Sequence, residues 1–497
     1  MTQIDIALAD IPEGVPHQPD GAKVILIRTG DDVTALAHLC PHYGLPLAKG
    51  VVRDGTLICA FHHACFNART GRQIQPPGHA DLRRYTVTQK DGRVIVDIPD
   101  TDLHLAPDHA RLGLNPERIV IVGAGAAGNT CAKTLREMGF EGIIQMISPD
   151  GLPLDRTMLS KAVLSGSRTP DDAILTDADT LADLDVTLVS GKAVAIGPGQ
   201  VVMADGGRHA FDKLLIAPGG RPNRPDLPGV NLPGVHTLRS GADAAAISQA
   251  AETTGSAVLI GGGFIGLEGA LSLAKRGLSV TVAMREEVPL ARILGERLGR
   301  IIQDEHEAKG ITFVPGASLA SITGKDHATG VTLETGETID ADLVLLAMGV
   351  TPATDAIDGL PTQDDGGVMT GPGLSVPGLS GVYVAGDCAV APTPFGTTRI
   401  EHWRVACQHG RNAALAMLGQ GVPLDIPFFW TALGRQYRYL GYAEDWDEIE
   451  FDGDPTGPFL ARYIKDGQVR AVVTAGRDAD LAALHLEMLA AGGPIPA

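Results

Sequence analysis

Cysteine is scarce in this chain: six in 497 residues, scattered, with none of the paired rhythm of a secreted disulfide framework. A reducing, cytoplasmic setting is the expectation. Basic clusters are also missing. The net charge is −19, which argues against nucleic acid or an anionic membrane as partner and favours a basic patch on another protein. No apolar run reaches the roughly eighteen residues needed to span a bilayer. The opening MTQIDIALADIPEGV lacks both a positive n-region and a continuous apolar stretch, so it is not read as a signal peptide.

The length exceeds what one core can serve, and at about 100–200 residues per domain it predicts three or four. The composition is that of a globular protein, 44% hydrophobic and 20% charged, with 62 glycines. The texture changes along the chain. Segments such as AKVILIRTG, GTLICAF and GRVIVDIP in residues 1–104 are short, β-branched and separated by turn residues, which predicts an all-β unit. Residues 105–116 are aperiodic, as a linker would be. RIVIVGAGAAGNTCAKTLREMGFEGIIQMI then reads as strand, glycine turn, amphipathic helix and strand. The same unit returns as AVLIGGGFIGLEGALSLAKRGLSVTVAM. Two such βαβ units predict two nucleotide-binding domains of related architecture. Residues 424–497 read as a small α+β domain closed by the helix ADLAALHLEMLA.

Three of the six cysteines, Cys40, Cys59 and Cys65, fall in one segment, residues 40–71, CPHYGLPLAKGVVRDGTLICAFHHACFNARTG. Cys40 and His42 form C-x-H; Cys59 and His62 form C-x-x-H. Four such side chains on two loops call for a metal. Structural zinc is one reading, but zinc fingers take a Cys pair from one turn and a His pair from another. Here each loop offers one of each, which suits a Rieske [2Fe–2S] centre, with two thiolates on one iron and two imidazoles on the other. The segment resembles the Rieske ferredoxin family along its length. It departs in carrying Ala60 and His63 where that family usually has Pro and Gly. His63 is read as a half-exposed loop residue tolerating a positive φ, and Cys65 as a small buried filler. High-potential members place Ser and Tyr hydroxyls two and four residues after the last ligand. Ala64 and Phe66 stand there, which predicts a potential near the bottom of the roughly −150 to +300 mV Rieske range.

The first glycine frame is Gly123, Gly125 and Gly128, following the apolar strand RIVIV. In such a frame the first glycine makes the tight turn, the second admits a pyrophosphate, and the third lets helix meet strand. Asp150 is the ribose candidate, although Ser148 and Pro149 occupy the more usual place. FDKLLIAPGGRP (211–222), DADLVLLAMGVTPAT (340–354) and GVYVAGDCA (381–389) resemble the motifs of FAD-dependent pyridine-nucleotide reductases. In the last of these the ribityl-binding aspartate maps to Asp387. The second frame, Gly261, Gly263 and Gly266, is the NADPH or NADH site. Met284 stands where NAD-preferring domains place an acid. Arg285 and Arg292 are candidate contacts for a 2′-phosphate, or else belong to a solvated strand end.

Disulfide reductases of this fold carry Cys-x₄-Cys beside the flavin, whereas LPLDRTMLSKAVLSG (152–166) contains no cysteine. The stretch is similar instead to the ferredoxin-reductase and apoptosis-inducing-factor-like branch. That resemblance makes Arg156 and Lys161 flavin contacts and pairs Lys161 with Glu268, the two catalytic candidates. Trp403 in RIEHW, and Phe429 and Trp430 in PFFWT, match aromatic positions near the flavin there; core packing is the other reading. The whole chain resembles a Rieske-containing apoptosis-inducing-factor-like oxidoreductase. The resemblance implies residues 1–104 as a Rieske domain, 117–236 and 358–423 as two parts of a Rossmann-like FAD domain of the glutathione-reductase type, 237–357 as the NAD(P) domain, and 424–497 as the C-terminal domain. It further implies electron flow from NAD(P)H through FAD to the [2Fe–2S] cluster and a one-electron acceptor. An oxidase, a quinone reductase using a small-molecule oxidant, and an NAD(P)H-responsive signalling protein are the alternatives. The chain is expected as a monomer or homodimer.

Overall fold

The computed structural model describes residues 2–99, 103–105 and 109–497. The N-terminal residues form small antiparallel sheets. One contains Thr2–Ala7, Arg93–Ile98 and Val87–Lys90, and another Val24–Thr29, Asp32–Ala37 and Arg84–Tyr85. Alternation sets which face is buried: in Arg93–Ile98 the side chains of Val94, Val96 and Ile98 enter the core while Arg93 and Asp97 face water. A third sheet of four short strands runs Val51–Arg53, Thr56–Ile58, Cys65–Asn67 and Gln73–Gln75, and frames the second Cys/His loop. Of the expected linker 105–116, residues 106–108 lie outside the described residues. Ala110 and Gly113 donate their amide hydrogens to Arg136 O and Glu141 O, laying this stretch along the following unit.

Two five-stranded parallel sheets come next. The first orders Val186–Ser190, Ile143–Ser148, Arg118–Val122, Lys213–Ile216 and Val382–Val384. RIVIV is apolar at successive positions because a central parallel strand is covered on both faces. The last strand of this sheet arrives only after the second sheet has been built. That second sheet orders Val235–His236, Leu343–Leu346, Ser256–Ile260, Ser279–Ala283 and Thr312–Val314. The C-terminal residues form an antiparallel sheet, Phe428–Leu433, Arg435–Gly441, Gln468–Ala475, Phe459–Lys465 and Glu448–Asp452, backed by the helix Asp478–Ala491.

That helix holds the N-terminal unit in place. Its Ala482 and Leu486 share one buried cluster with Ile58, Ala60 and Cys65 from the frame of the second Cys/His loop. The first cysteine-bearing unit is therefore seated on the C-terminal sheet and helix by a continuous apolar contact. Among the described residues no helix is long and apolar enough to cross a membrane.

Candidate active site

The two Cys/His loops repeat one local geometry. Cys40 N–H donates to Leu45 O at 2.8 Å and Gly44 N–H to Cys40 O at 2.9 Å; Cys59 N–H donates to Ala64 O at 2.9 Å and His63 N–H to Cys59 O at 3.0 Å. The fourth residue after each cysteine must turn left-handed: φ is +67° at Gly44 and +55° at His63. His63 therefore does take the glycine-like backbone. Its expected half-exposure is wrong, because the ring is fully buried, stacked on Phe428 at 3.8 Å and hydrogen-bonded through Nδ1 to His485 Nδ1 at 2.6 Å. The reason is the C-terminal helix, which covers this loop.

The loops converge on one spot. His42 Nδ1 and His62 Nδ1 lie 3.1 Å apart, and the buried thiols of Cys40 and Cys59 are within hydrogen-bonding reach of each other. Burial, followed by the charges of Arg438 and Lys161, pushes His62 down to about 3, so the ring is a neutral donor. Among the described residues no three Cys, His, Asp or Glu side chains meet at a single ion site. The donors form two pairs, which fits a cluster with one pair on each iron better than one tetrahedral zinc. Cys65 is buried and donates toward His63 O at 3.4 Å, away from the pairs.

A cavity of about 600 Å³ begins at the first glycine turn and ends at the second. Gly123, at φ +107°, lies so close to the next strand that a Cβ would sit 2.1 Å from Ala217 O. A Cβ on Gly128 would sit 1.9 Å from Gly123 O, whereas one on Gly125 would meet nothing within 4 Å. The open space at Gly125 adjoins the N-terminus of the helix Ala126–Glu137, whose free N–H groups suit a pyrophosphate. The second frame repeats the pattern: a Cβ would lie 2.3 Å from Ala347 O at Gly261 and 2.1 Å from Gly261 O at Gly266, with open space at Gly263. Both cradles fit the dinucleotides implied by the motifs.

Between the glycine turns the cavity wall brings together Asp150, Arg156, Lys161, Glu268 and Asp387, with Trp403 and Trp430. The segment carrying Arg156 and Lys161 is a 3₁₀ turn, Arg156–Met158, running into a π-helical turn, Leu159–Val163. Lys161 Nζ lies 2.9 Å from Glu268 Oε2. Glu268, 4% exposed, also accepts from Ser160 Oγ and Thr431 Oγ1, each at 2.6 Å. These three donors satisfy a buried carboxylate that would otherwise be costly. Asp150 pairs with Arg156 at 3.4 Å and Asp387 with Arg239 at 2.8 Å. Burial, with Arg239 nearby, lowers Arg156 to about 10. Ser160, Thr431 and Arg239 escape sequence reasoning; Ser160 and Thr431 sit beside residues already singled out, while Arg239 carries no local signal. Arg285 lines a neighbouring pocket of about 580 Å³ with Arg221, Arg224 and Met348, and Met284 is buried over the second glycine turn.

Trp430 links the two centres. Its ring lies 4.6 Å from the His62 ring and 5.6 Å from the His42 ring, centroid to centroid, while also lining the cavity. On the other loop the Tyr43 hydroxyl donates to Asp155, next to Arg156.

A family model described as pyridine nucleotide-disulphide oxidoreductase matches residues 117–410, and one described as Rieske [2Fe-2S] domain matches residues 2–86. The chain is a Rieske-containing pyridine nucleotide-disulphide oxidoreductase. Apoptosis-inducing factor 3 of Mus musculus is 32% identical over 495 residues, covering 95% of this chain and 81% of that protein. The biphenyl dioxygenase system ferredoxin--NAD(+) reductase component of Paraburkholderia xenovorans (strain LB400) is 34% identical over 364 residues, 71% of this chain and 89% of that one. Among solved structures, a ferredoxin reductase from Rhodopseudomonas palustris superposes with a TM-score of 0.72 at 28% identity, covering 76% of this chain and 96% of its own. The reductase in a covalent putidaredoxin reductase–putidaredoxin complex gives 0.71 at 26%, covering 76% and 94%. This oxidoreductase is accordingly an NAD(P)H-dependent flavoprotein of ferredoxin-reductase type, with FAD, NAD(P)H and a Rieske [2Fe–2S] cluster as cofactors. All six of its cysteines are free, so the disulphide of the family name has no counterpart beside its flavin cavity.

Proposed function

We propose that this oxidoreductase passes electrons from NADPH through FAD to the Rieske cluster of the same chain, and from there to a one-electron acceptor. The supporting observation is Trp430, which touches the rings of both ligand histidines and lines the flavin cavity. Flavin chemistry suits the junction because a flavin exchanges electrons in pairs with a hydride donor and singly with an iron–sulfur centre.

The chain's own residues set up that junction. Glu268 holds Lys161 by an ion pair, and Ser160 and Thr431 fix Glu268 in turn. Lys161 lines the cavity wall, where its ammonium would stabilise negative charge on a bound flavin. Asp387 and Arg239, and Asp150 and Arg156, supply the polar ends that orient the dinucleotide. Cys40 and Cys59 would hold one iron, and His42 and His62 the other. Ala64 and Phe66 place no hydroxyl near the cluster sulfurs, so its potential is low.

NADPH is preferred over NADH on two grounds. Met284 cannot accept a hydrogen bond from a ribose 2′-OH as an acid would. Among the described residues, Arg285 makes no ion pair with Glu286 or Glu287 and faces the same pocket as Arg224, leaving positive charge for a 2′-phosphate. The named roles of the biphenyl dioxygenase component and of the Rhodopseudomonas palustris ferredoxin reductase for the CYP199A2 system support an oxygenase, a cytochrome P450 or a ferredoxin as the acceptor. The likeness to apoptosis-inducing factor 3 over 95% of the chain supports a second reading, an NAD(P)H-responsive signalling protein.

Anaerobic addition of NADPH, followed by absorbance and EPR, tests the proposal. The flavin should bleach and a Rieske EPR signal of negative midpoint should grow, at a rate independent of protein concentration. A bleached flavin beside a cluster that only dithionite can reduce would assign the chain to the oxidase, quinone-reductase or signalling class.

A further inference from the structure

The loop carrying His62 is gripped from outside its own domain. Arg438, on the strand Arg435–Gly441, donates Nε–H to Phe61 O at 2.9 Å, with its guanidinium carbon 5.9 Å from the Phe61 ring centroid. Arg404, on the helix Trp403–Met417, donates Nη2–H to His63 O at 3.2 Å. The carbonyls on either side of His62 are thus both taken by guanidinium groups. Arg438 is 4% exposed and Arg404 0%. Burying such a charge costs several kcal/mol unless it is paired and hydrogen-bonded, and an apolar side chain of similar volume often serves stability equally well. A charge kept at this position therefore has an electrostatic consequence to look for.

The orientation of each ion pair supplies it. Arg438 meets the ligand loop through Nε and Asp478 through Nη1, at 3.0 Å. Arg404 likewise meets His63 O with one nitrogen and Asp425 with the other, at 3.5 Å. In each pair it is the guanidinium that hydrogen-bonds the loop, and the carboxylate is reached through a different nitrogen. Lys161, whose charge also acts on His62, adds to the same sign, with Glu268 as its counter-ion. Among the described residues the first loop shows no equivalent guanidinium grip; its contacts there include Tyr43 to Asp155 and His42 to Trp430.

We propose that Arg438, assisted by Arg404, is a positioning residue that sets the reduction potential of the Rieske cluster from the flavin half of the chain. Reduction adds one electron, hence one negative charge, to the cluster. A guanidinium held in a low-dielectric interface stabilises that charge and raises the potential. The absence of hydroxyls at Ala64 and Phe66 keeps the potential low within its class, and the arginines hold it above where the bare loop would sit. The proposal rests on the cluster and not on transfer from the flavin of the same chain.

The test is an EPR-monitored titration of the intact holoprotein with dithionite and redox mediators. Mediators fix the potential whether or not the flavin reduces its own cluster, so the result is separate from the electron path proposed above. Arg438→Met should lower the midpoint, Arg438→Lys should restore most of the difference, and Arg404→Met should move it the same way as Arg438→Met. Asp478→Asn, which keeps Arg438 and removes its counter-charge, should raise it. A purely structural role would give shifts of one sign or none. Unchanged midpoints, or Arg438→Met and Asp478→Asn moving together, overturn the proposal. Should Arg438→Met fail to retain its cluster, Asp478→Asn decides alone: an upward shift sustains the proposal, and any other result ends it.

Discussion

His409 is 9% exposed on the helix Trp403–Met417, and its Nδ1 accepts the amide hydrogen of Gly386 at 3.3 Å, in the turn that carries Asp387. Burial pushes its pKa down to about 4, against an opposing pull from Asp387. A histidine kept neutral in the fold but free to protonate when unfolded stabilises fully above about pH 6.5, and that stability drains away as pH falls toward 4. Between pH 7.5 and 5 the loss from this one group is about 2 kcal/mol. His409→Asn keeps an acceptor for Gly386 without the titration. In urea series followed by flavin fluorescence at the two pH values, the variant should lose correspondingly less stability than the parent; parallel losses would remove His409 as a cause. Single residues also show where sequence reading stops. The left-handed turn at His63 is legible because it stands where a Rieske loop has glycine. Its burial is not, because the partners His485 and Arg404 lie 422 and 341 positions away, and no local pattern announces them.

At the scale of elements, the two glycine frames separate a packing function from a binding one. The Gly128 contact is strand to helix: an added methyl would sit 1.9 Å from Gly123 O. The second glycine of the frame, Gly125, faces open space. Gly128→Ala should therefore damage the fold of the first nucleotide unit, by about 3 kcal/mol or more, and yield protein without flavin. Gly125→Ala should keep its circular dichroism while binding FAD roughly tenfold more weakly, about 1.4 kcal/mol. Equal FAD affinity in Gly125→Ala and parent would show that the pyrophosphate lies elsewhere. These frames are legible because turn, helix start and close packing all demand glycine within six residues. Gly410 performs a similar packing task unseen: it lets the helix Trp403–Met417 cross the helix Ala126–Glu137 so closely that a Cβ would fall 2.0 Å from Ala127 O. A lone glycine inside a helical stretch does not say which helix it meets.

At the scale of the whole molecule, the N-terminal unit occupies the face around Trp430. The matches to the biphenyl dioxygenase component and to the Rhodopseudomonas palustris reductase cover 71% and 76% of this chain. Here the N-terminal unit is seated on that face by Ile58, Ala60, Cys65, Ala482 and Leu486 and by the two arginines. Each unit is recognisable from its own motifs, but their docking is not. It depends on apolar and carbonyl contacts between segments hundreds of residues apart, which carry no spacing or periodicity. A contact this continuous would make the proposed relay a fixed one, with the indole of Trp430 packed between the cavity and the rings of His42 and His62. Trp430→Leu keeps an apolar side chain but gives up the ring contacts at 4.6 and 5.6 Å. Stopped-flow mixing with NADPH, read at flavin and cluster wavelengths, should show flavin reduction at the parental rate and cluster reduction slowed roughly tenfold or more. The flavin phase serves as the internal control, since a general disturbance of the cavity would slow both. Should the cluster follow the flavin as fast in the variant as in the parent, the electrons leave the cavity by another route, and the segment joining Tyr43 to Asp155 becomes the place to look.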